Sequence, residues 1–233
     1  MSQILVELQE HMGSDLSIAN AAWTSTYDKD RREDRYDDAA KVAQIVLRLI
    51  KDGHGTPIES VVLRFWIRMP IFTDRQHMTH RIASHNGLSG RYRTMPLDYF
   101  KLPEDVEEIF GLANSEHLCI PPDFLYRQAC DLAVHNYSLT IKCLKKAEQS
   151  GLITNTQLKR AREVARGQLP TAGMVERTTI MNLRSFANYQ FQRNSSHAQP
   201  EIREVAKLML EEVKKANVAP IAIKTLEEMG WKL

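Results

Sequence analysis

Arginine placed beside Ser, Asn, Gln and Gly is the chemistry-bearing feature of this 233-residue chain. It gathers from Arg75-Gln76 to Arg81, at Ser89-Gly90-Arg91-Tyr92-Arg93, and at Arg184 with Asn188 and Arg193. A guanidinium fork meets two phosphate oxygens at once, and Gly87 and Gly90 let backbone N–H groups approach an anion. Neutral amides alongside can pair with base edges. The combination suits a small phosphorylated ligand that carries a heterocyclic base. The plainer alternative is that these arginines are solvated or paired with the chain's 29 acids.

Other chemistries have weaker support. Neither GxGxxG nor GxxxxGK[ST] occurs, so a nucleotide is held another way. His77, His80 and His85 lie close in sequence, but with no HExxH pattern or nearby acidic ligand we expect no metal site. Ser89 sits in LSGRY rather than a GxSxG elbow, which argues against a serine hydrolase. A net charge of +2 gives no footprint for a nucleic-acid polymer. No apolar run approaches the roughly 20 residues of a membrane span, and no signal peptide is read at the start. Cys119, Cys130 and Cys143 are too few and too scattered for a disulfide framework. The expected setting is cytoplasmic.

The elements that must position these residues follow from periodicity. The mixed-charge stretch Asp28 to Asp38 reads as a loop, with Asp37 able to cap a helix whose apolar stripe runs from Ala39 to Ile50 and stops at Gly53. Val61, Leu63, Phe65, Ile67 and Met69 alternate with Arg64 and Arg68, a strand with one buried and one cationic face. Pro70 is placed to open a short helix through about Arg81, and Ser84 to Pro96 reads as a loop. Pro121-Pro122-Asp123 opens a long helix to Gln149, and another runs from Asn155 to Arg166. Met174 to Met181 reads as a second strand, and Asn182 caps the helix that carries Arg184 and Asn188. Ile202 to Val213 form the stripe of a further helix, with Glu211 and Lys215 in favourable order; a short helix from Ile221 to Met229 closes the chain. The fold class is α+β (irregular α/β), one domain over residues 1–233 with few strands and many helices.

The segment Arg75 to Tyr92, RQHMTHRIASHNGLSGRY, resembles the signature of the flavin-dependent thymidylate synthases, in which Arg-His-Arg precedes a Ser by seven residues. Here Thr79-His80-Arg81 precedes Ser89. His54 to Glu59 is similar to the family's His-x-(Ser/Thr)-x-Phe-Glu, Ala165 to Pro170 to its Ala-Arg-x-x-Leu-Pro, and Asn182 to Ser185 and Arg193 to Ile202 to its C-terminal block. The resemblance implies a homotetramer in which FAD, reduced by NADPH, and methylenetetrahydrofolate convert dUMP to dTMP. It implies that His54, Thr56, Thr79, His80, Arg81, Asn182, Arg184 and Asn188 hold FAD. Gln76, Ser89, Gly90, Arg91, Arg166 and Arg193 would hold dUMP, with Arg193 polarising the uracil. Flavin hydride activates the uracil in this family, so Ser89 is assigned to binding. The chain departs from the pattern at Thr79 (Arg in the family), at Gly87 (Glu), and at His77 and His85, which are often aromatic; Arg75 and Arg93 are candidates to replace the missing cation. An altered outcome, such as hydroxymethylation of a pyrimidine nucleotide, or a non-catalytic nucleotide-binding role are the alternatives.

Overall fold

The computed structural model describes residues 4–117 and 120–232; Cys119 and the side chain of His117 lie outside what it describes. In chain order the elements are β1 Leu5–Met12, α1 Asp15–Trp23, α2 Lys29–Glu33, α3 Ala39–Lys51, β2 Val62–Pro70, α4 Ile71–His77 and β3 Ser84–Gly87. Then follow α5 Glu104–His117, α6 Pro122–Gln149, α7 Asn155–Ala165, β4 Met174–Asn182, α8 Leu183–Arg193, α9 Pro200–Lys215 and α10 Pro220–Glu228. The strands form a single four-stranded sheet in the order β1-β2-β4-β3, so the α+β class holds.

β2 has the expected two faces. Leu63, Phe65, Ile67 and Met69 are buried, while Arg64 reaches Glu10 at 2.8 Å and Arg68 pairs with Asp98. Several boundaries differ from expectation. Asp38, not Asp37, caps α3, because its carboxylate accepts from the Lys41 N–H three residues on. The charged loop holds the short α2, capped by Asp28. Pro70 ends β2 instead of opening a helix, and α4 stops at His77. Lys215 pairs with Glu212 at 3.3 Å rather than Glu211. Part of the expected loop, Ser84–Gly87, is strand β3.

The chain forms two compact units. One comprises residues 68–75 and 87–176. In it α6 spans 28 residues, about 42 Å at helical rise. Its Tyr137 and Ile141 pack with Met95 and Ala165, and the Met95 N–H donates to the Tyr137 hydroxyl. The other unit comprises residues 4–67, 76–86 and 177–232. Here α9 buries Ile202, Val205, Ala206, Met209, Leu210 and Val213, each contributing about 1.5–3 kcal/mol for the larger side chains. The Gln190 amide donates to the Ala206 carbonyl and ties α8 to α9. Phe186 of α8 stacks on Phe65 of β2 at 6.0 Å. The Asp15 carboxylate accepts from the N–H groups of Ile221 and Ala222, capping α10. Burial raises the Asp15 pKa against the pull of these two donors.

Candidate functional site

Asn182 starts α8 as the sequence predicts, its Oδ1 accepting from the Ser185 N–H at 2.8 Å. A backbone N–H can only donate, so the Asn182 Nδ2 group is left to donate elsewhere. From that cap, Arg184, Asn188, Phe191 and Gln192 recur at helical spacing and line one wall of a cavity of about 860 Å³. Thr79, His80 and Arg81 form part of the remaining wall, and Ile82 and Trp231 add apolar surface. Thus Thr79, His80, Arg81, Asn182, Arg184 and Asn188 converge on one cavity, whose size is on the scale of cofactor sites. Trp231, Phe191 and Glu59 also line it, although sequence reasoning assigned them no role. Glu59 stood inside the quoted His54 to Glu59 element; for Trp231 no signal existed.

His54 and Thr56 are not on that cavity. They line a neighbouring hollow of about 580 Å³, and Arg184 lines both. Arg184 is held from two sides: its guanidinium donates to Glu59 at 2.8 Å, and its stem lies against Gly55. A Cβ at Gly55 would stand 2.7 Å from Arg184 Nε, so a side chain there would force the Arg184 guanidinium to shift.

Arg193, at the end of α8, behaves differently from the other arginines. Its Nε–H donates to His80 Nε2 at 2.9 Å, and its terminal nitrogen donates to Thr79 Oγ1 at 2.9 Å and to the Gln76 carbonyl at 3.4 Å. The position that carries Arg in the resembling family therefore carries a hydroxyl that accepts from Arg193. His80 is neutral at pH 7: burial first, then Arg193 and His85, lower its pKa from 6.5 to about 4. The Gln76 side chain donates to Gln199, whose own amide donates to Glu201 at 2.7 Å.

Ser89, Gly90, Arg91 and Arg166 gather in the other unit. The Ser89 carbonyl accepts from the N–H groups of Tyr92 and Arg93, closing a turn. A Cβ at Gly90 would meet Arg166 Cδ at 3.3 Å, and Arg91 pairs with Glu163 at 3.3 Å. Arg93 pairs with Glu176, and Arg75 is exposed. For Arg91, Arg93 and Arg184 the plainer reading, pairing with an acid, is thus part of the truth. His77, His80 and His85 come together, but both ring nitrogens of His77 and of His85, and Nε2 of His80, face hydroxyl, carbonyl or guanidinium partners.

Residues 7–221 match the model of the family described as thymidylate synthase complementing protein, Thy1. The chain belongs to this family. Relatives include the flavin-dependent thymidylate synthases of Kosmotoga olearia, 31% identical over 86% of this chain and 81% of the relative, and of Thermotoga neapolitana, 32% identical over the same shares. Among solved structures the chain is similar to a UMP/dUMP methylase, PolB from Streptomyces cacaoi bound with 5-Br dUMP. That likeness has a TM-score of 0.71 at 26% identity and covers 99% of this chain and 97% of the other. Among the described residues, no helix of this Thy1 family member is long and apolar enough to cross a membrane.

Proposed function

We propose that the chain is a flavin-dependent thymidylate synthase, converting dUMP to dTMP with methylenetetrahydrofolate and NADPH. In net terms the uracil C5–H becomes C5–CH3, the carbon coming from the folate, a hydride from NADPH and one net proton from water, leaving tetrahydrofolate and NADP+. The observation that carries the reading is the convergence of Thr79, His80, Arg81, Asn182, Arg184 and Asn188 on one cavity of about 860 Å³.

That wall fits FAD by its chemistry. Arg81, Arg184 and the Asn182 amide are donors suited to a diphosphate and to ring carbonyls, while Phe191, Ile82 and Trp231 offer apolar surface to an aromatic ring. Gly55 leaves room for the Arg184 stem, and His54 and Thr56 extend the polar surface beyond it. When bound, FAD supplies the hydride that activates the uracil. The protein's residues do the rest. Ser89, Arg91, Arg166 and the N–H groups around Gly90 hold the nucleotide phosphate, with Gln76 at the same ligand. Arg193 is the catalytic cation, polarising a uracil carbonyl and stabilising the negative charge that grows as hydride arrives. The chain acts as one domain over residues 1–233 and assembles as a homotetramer.

The test is direct. The purified protein should be yellow and release FAD, and it should oxidise NADPH only when dUMP and the folate are present. A colourless protein without dUMP-dependent oxidation overturns this reading and favours a non-catalytic nucleotide-binding role. Mass analysis of the product addresses a second reading, in which a hydroxymethyl group remains on the pyrimidine. Thr79 and Gly87, an opposite-charge pair of departures, favour it, and thymidylate as the only product excludes it. The likeness to a UMP/dUMP methylase makes UMP the nucleotide to assay beside dUMP.

A further inference from the structure

A file of hydrogen bonds runs through the second unit behind Thr79-His80-Arg81. The Tyr189 hydroxyl meets His77 Nδ1 at 2.9 Å, His77 Nε2 meets Thr179 Oγ1 at 2.9 Å, Thr179 Oγ1 meets His85 Nδ1 at 3.1 Å, and His85 Nε2 meets the His80 carbonyl at 3.3 Å. Tyr189, His77 and Thr179 are fully buried; His85 is partly exposed.

The last link fixes the direction of every other one. A carbonyl only accepts, so His85 carries its proton on Nε2, and a neutral His85 then accepts at Nδ1. Thr179 must donate its single hydroxyl proton there. His77 must donate to Thr179 through Nε2, which leaves its Nδ1 to accept from Tyr189. His80 has the opposite tautomer, because its Nε2 accepts from Arg193 and the proton sits on Nδ1. The order requires neutral imidazoles. Burial first, then repulsion from the Arg177 and Arg193 guanidiniums and from His85 and His80 whenever those rings are protonated, holds the His77 pKa well below 6.5. The His80 ring also lies 4.5 Å from the Tyr189 ring, so the file grips His80 from two directions.

We propose that His77 and His85, with Thr179 between them, are positioning residues that hold His80 and thereby aim the Arg193 guanidinium at the nucleotide. The nucleotide half of this statement rests on the function proposed above; the His80–Arg193 half does not. A phenyl ring at either position cannot carry the hydrogen bonds.

The experiment compares His85→Phe, which removes both links, with His85→Gln, whose amide can still donate to the His80 carbonyl. In the full-length wild-type protein without nucleotide, imidazole nitrogen NMR should report Nε2–H for His77 and His85 and Nδ1–H for His80. Exchange of the Arg193 Nε–H with water should speed up about tenfold in His85→Phe and return toward wild type in His85→Gln, the scale of one lost hydrogen bond. In the FAD-loaded enzyme, His85→Phe should lower kcat/KM for dUMP about tenfold, with kcat itself falling because Arg193 acts in the transition state, and Gln should restore it. Unchanged Arg193 exchange in His85→Phe, or equal behaviour of Phe and Gln, overturns the proposal. If the NMR pattern and Arg193 exchange follow expectation while the wild type neither binds nor turns over dUMP, the positioning of Arg193 stands and the proposed function falls.

Discussion

Arg193 differs from its neighbours in what it touches. Arg91, Arg93 and Arg184 each meet a carboxylate, whereas the hydrogen-bond partners of Arg193 among the described residues are a neutral imidazole, a hydroxyl and a carbonyl. Its charge is therefore left for an anionic or electron-withdrawing ligand. Arg193→Ala should weaken dUMP binding and lower turnover at least about 100-fold, as loss of one transition-state charge contact does, while the melting curve stays near wild type. Unchanged turnover would place the catalytic cation elsewhere. Thr79→Arg restores the family residue but sets a second guanidinium where Arg193 now donates to a hydroxyl 2.9 Å away. Repulsion between like charges should displace Arg193 and raise the KM for dUMP, which steady-state kinetics would read. Gly55 lies in the helical region of backbone space, with φ −74°, so Gly55→Ala adds no backbone strain. It does put a methyl group on the Arg184 stem. FAD should dissociate more readily from that variant, measured by ultrafiltration, with secondary structure intact. The Arg184 motif was legible in the sequence; its contact with Gly55 was not, because close approach across distant chain segments leaves no local pattern.

At the scale of elements, what could be read was what carried its own period or punctuation. α3, α6, α9 and β2 show clear spacing, and α8 shows its Asn182 cap; all were recovered within a residue or two. β1, β3, α1 and α5 were not. β1 is an edge strand whose sequence, LVELQEHM, is mostly exposed, and its apolar residues Leu5, Val6, Leu8 and Met12 do not keep a regular alternation. β3 has four residues, three of them exposed, and exists because β4 pairs with it. The turn after β1 depends on Gly13, whose φ is +89° and where an added Cβ would stand only 2.7 Å from the Ser60 carbonyl oxygen. Asp15 shows the same dependence on tertiary structure. Its type is a plausible cap for its own helix, yet its carboxylate serves α10 at the far end of the chain. Asp15→Ala leaves two backbone N–H groups without that acceptor and should cost about 1–2 kcal/mol, read as a lower denaturation midpoint. An unchanged midpoint would mean that water replaces the carboxylate without loss.

For the whole molecule, two properties depend on groups acting together. His77 and His80 both have pKa values lowered below 6.5 in the folded chain, His80 to about 4. Below pH 6.5 the unfolded chain therefore binds more protons than the folded one at these sites. The stability that His80 confers is full above that pH and drains between about 6.5 and about 4; that of His77 drains as the pH falls from the same upper limit. Urea midpoints should fall across that window, and replacing His77 by Phe should flatten its share of the slope. The second property is assembly. On α6, Leu125, Leu132 and Leu139 recur every seventh residue and are 43%, 58% and 46% exposed, with Phe124 beside them at 51%. These leucines lie on one side of a helix of 28 residues and form an exposed apolar stripe that a second helix can cover. The proposed homotetramer supplies such a helix in a second copy. Light scattering should then report a particle of about four times 26.7 kDa. Leu132→Asp places a charge in the middle of that stripe, where burial without a partner is costly. It should yield smaller particles whose circular dichroism is unchanged, because Leu132 already faces outward within its own chain. A wild-type monomer would remove the tetramer, and an intact tetramer in Leu132→Asp would put the contact on a surface other than α6.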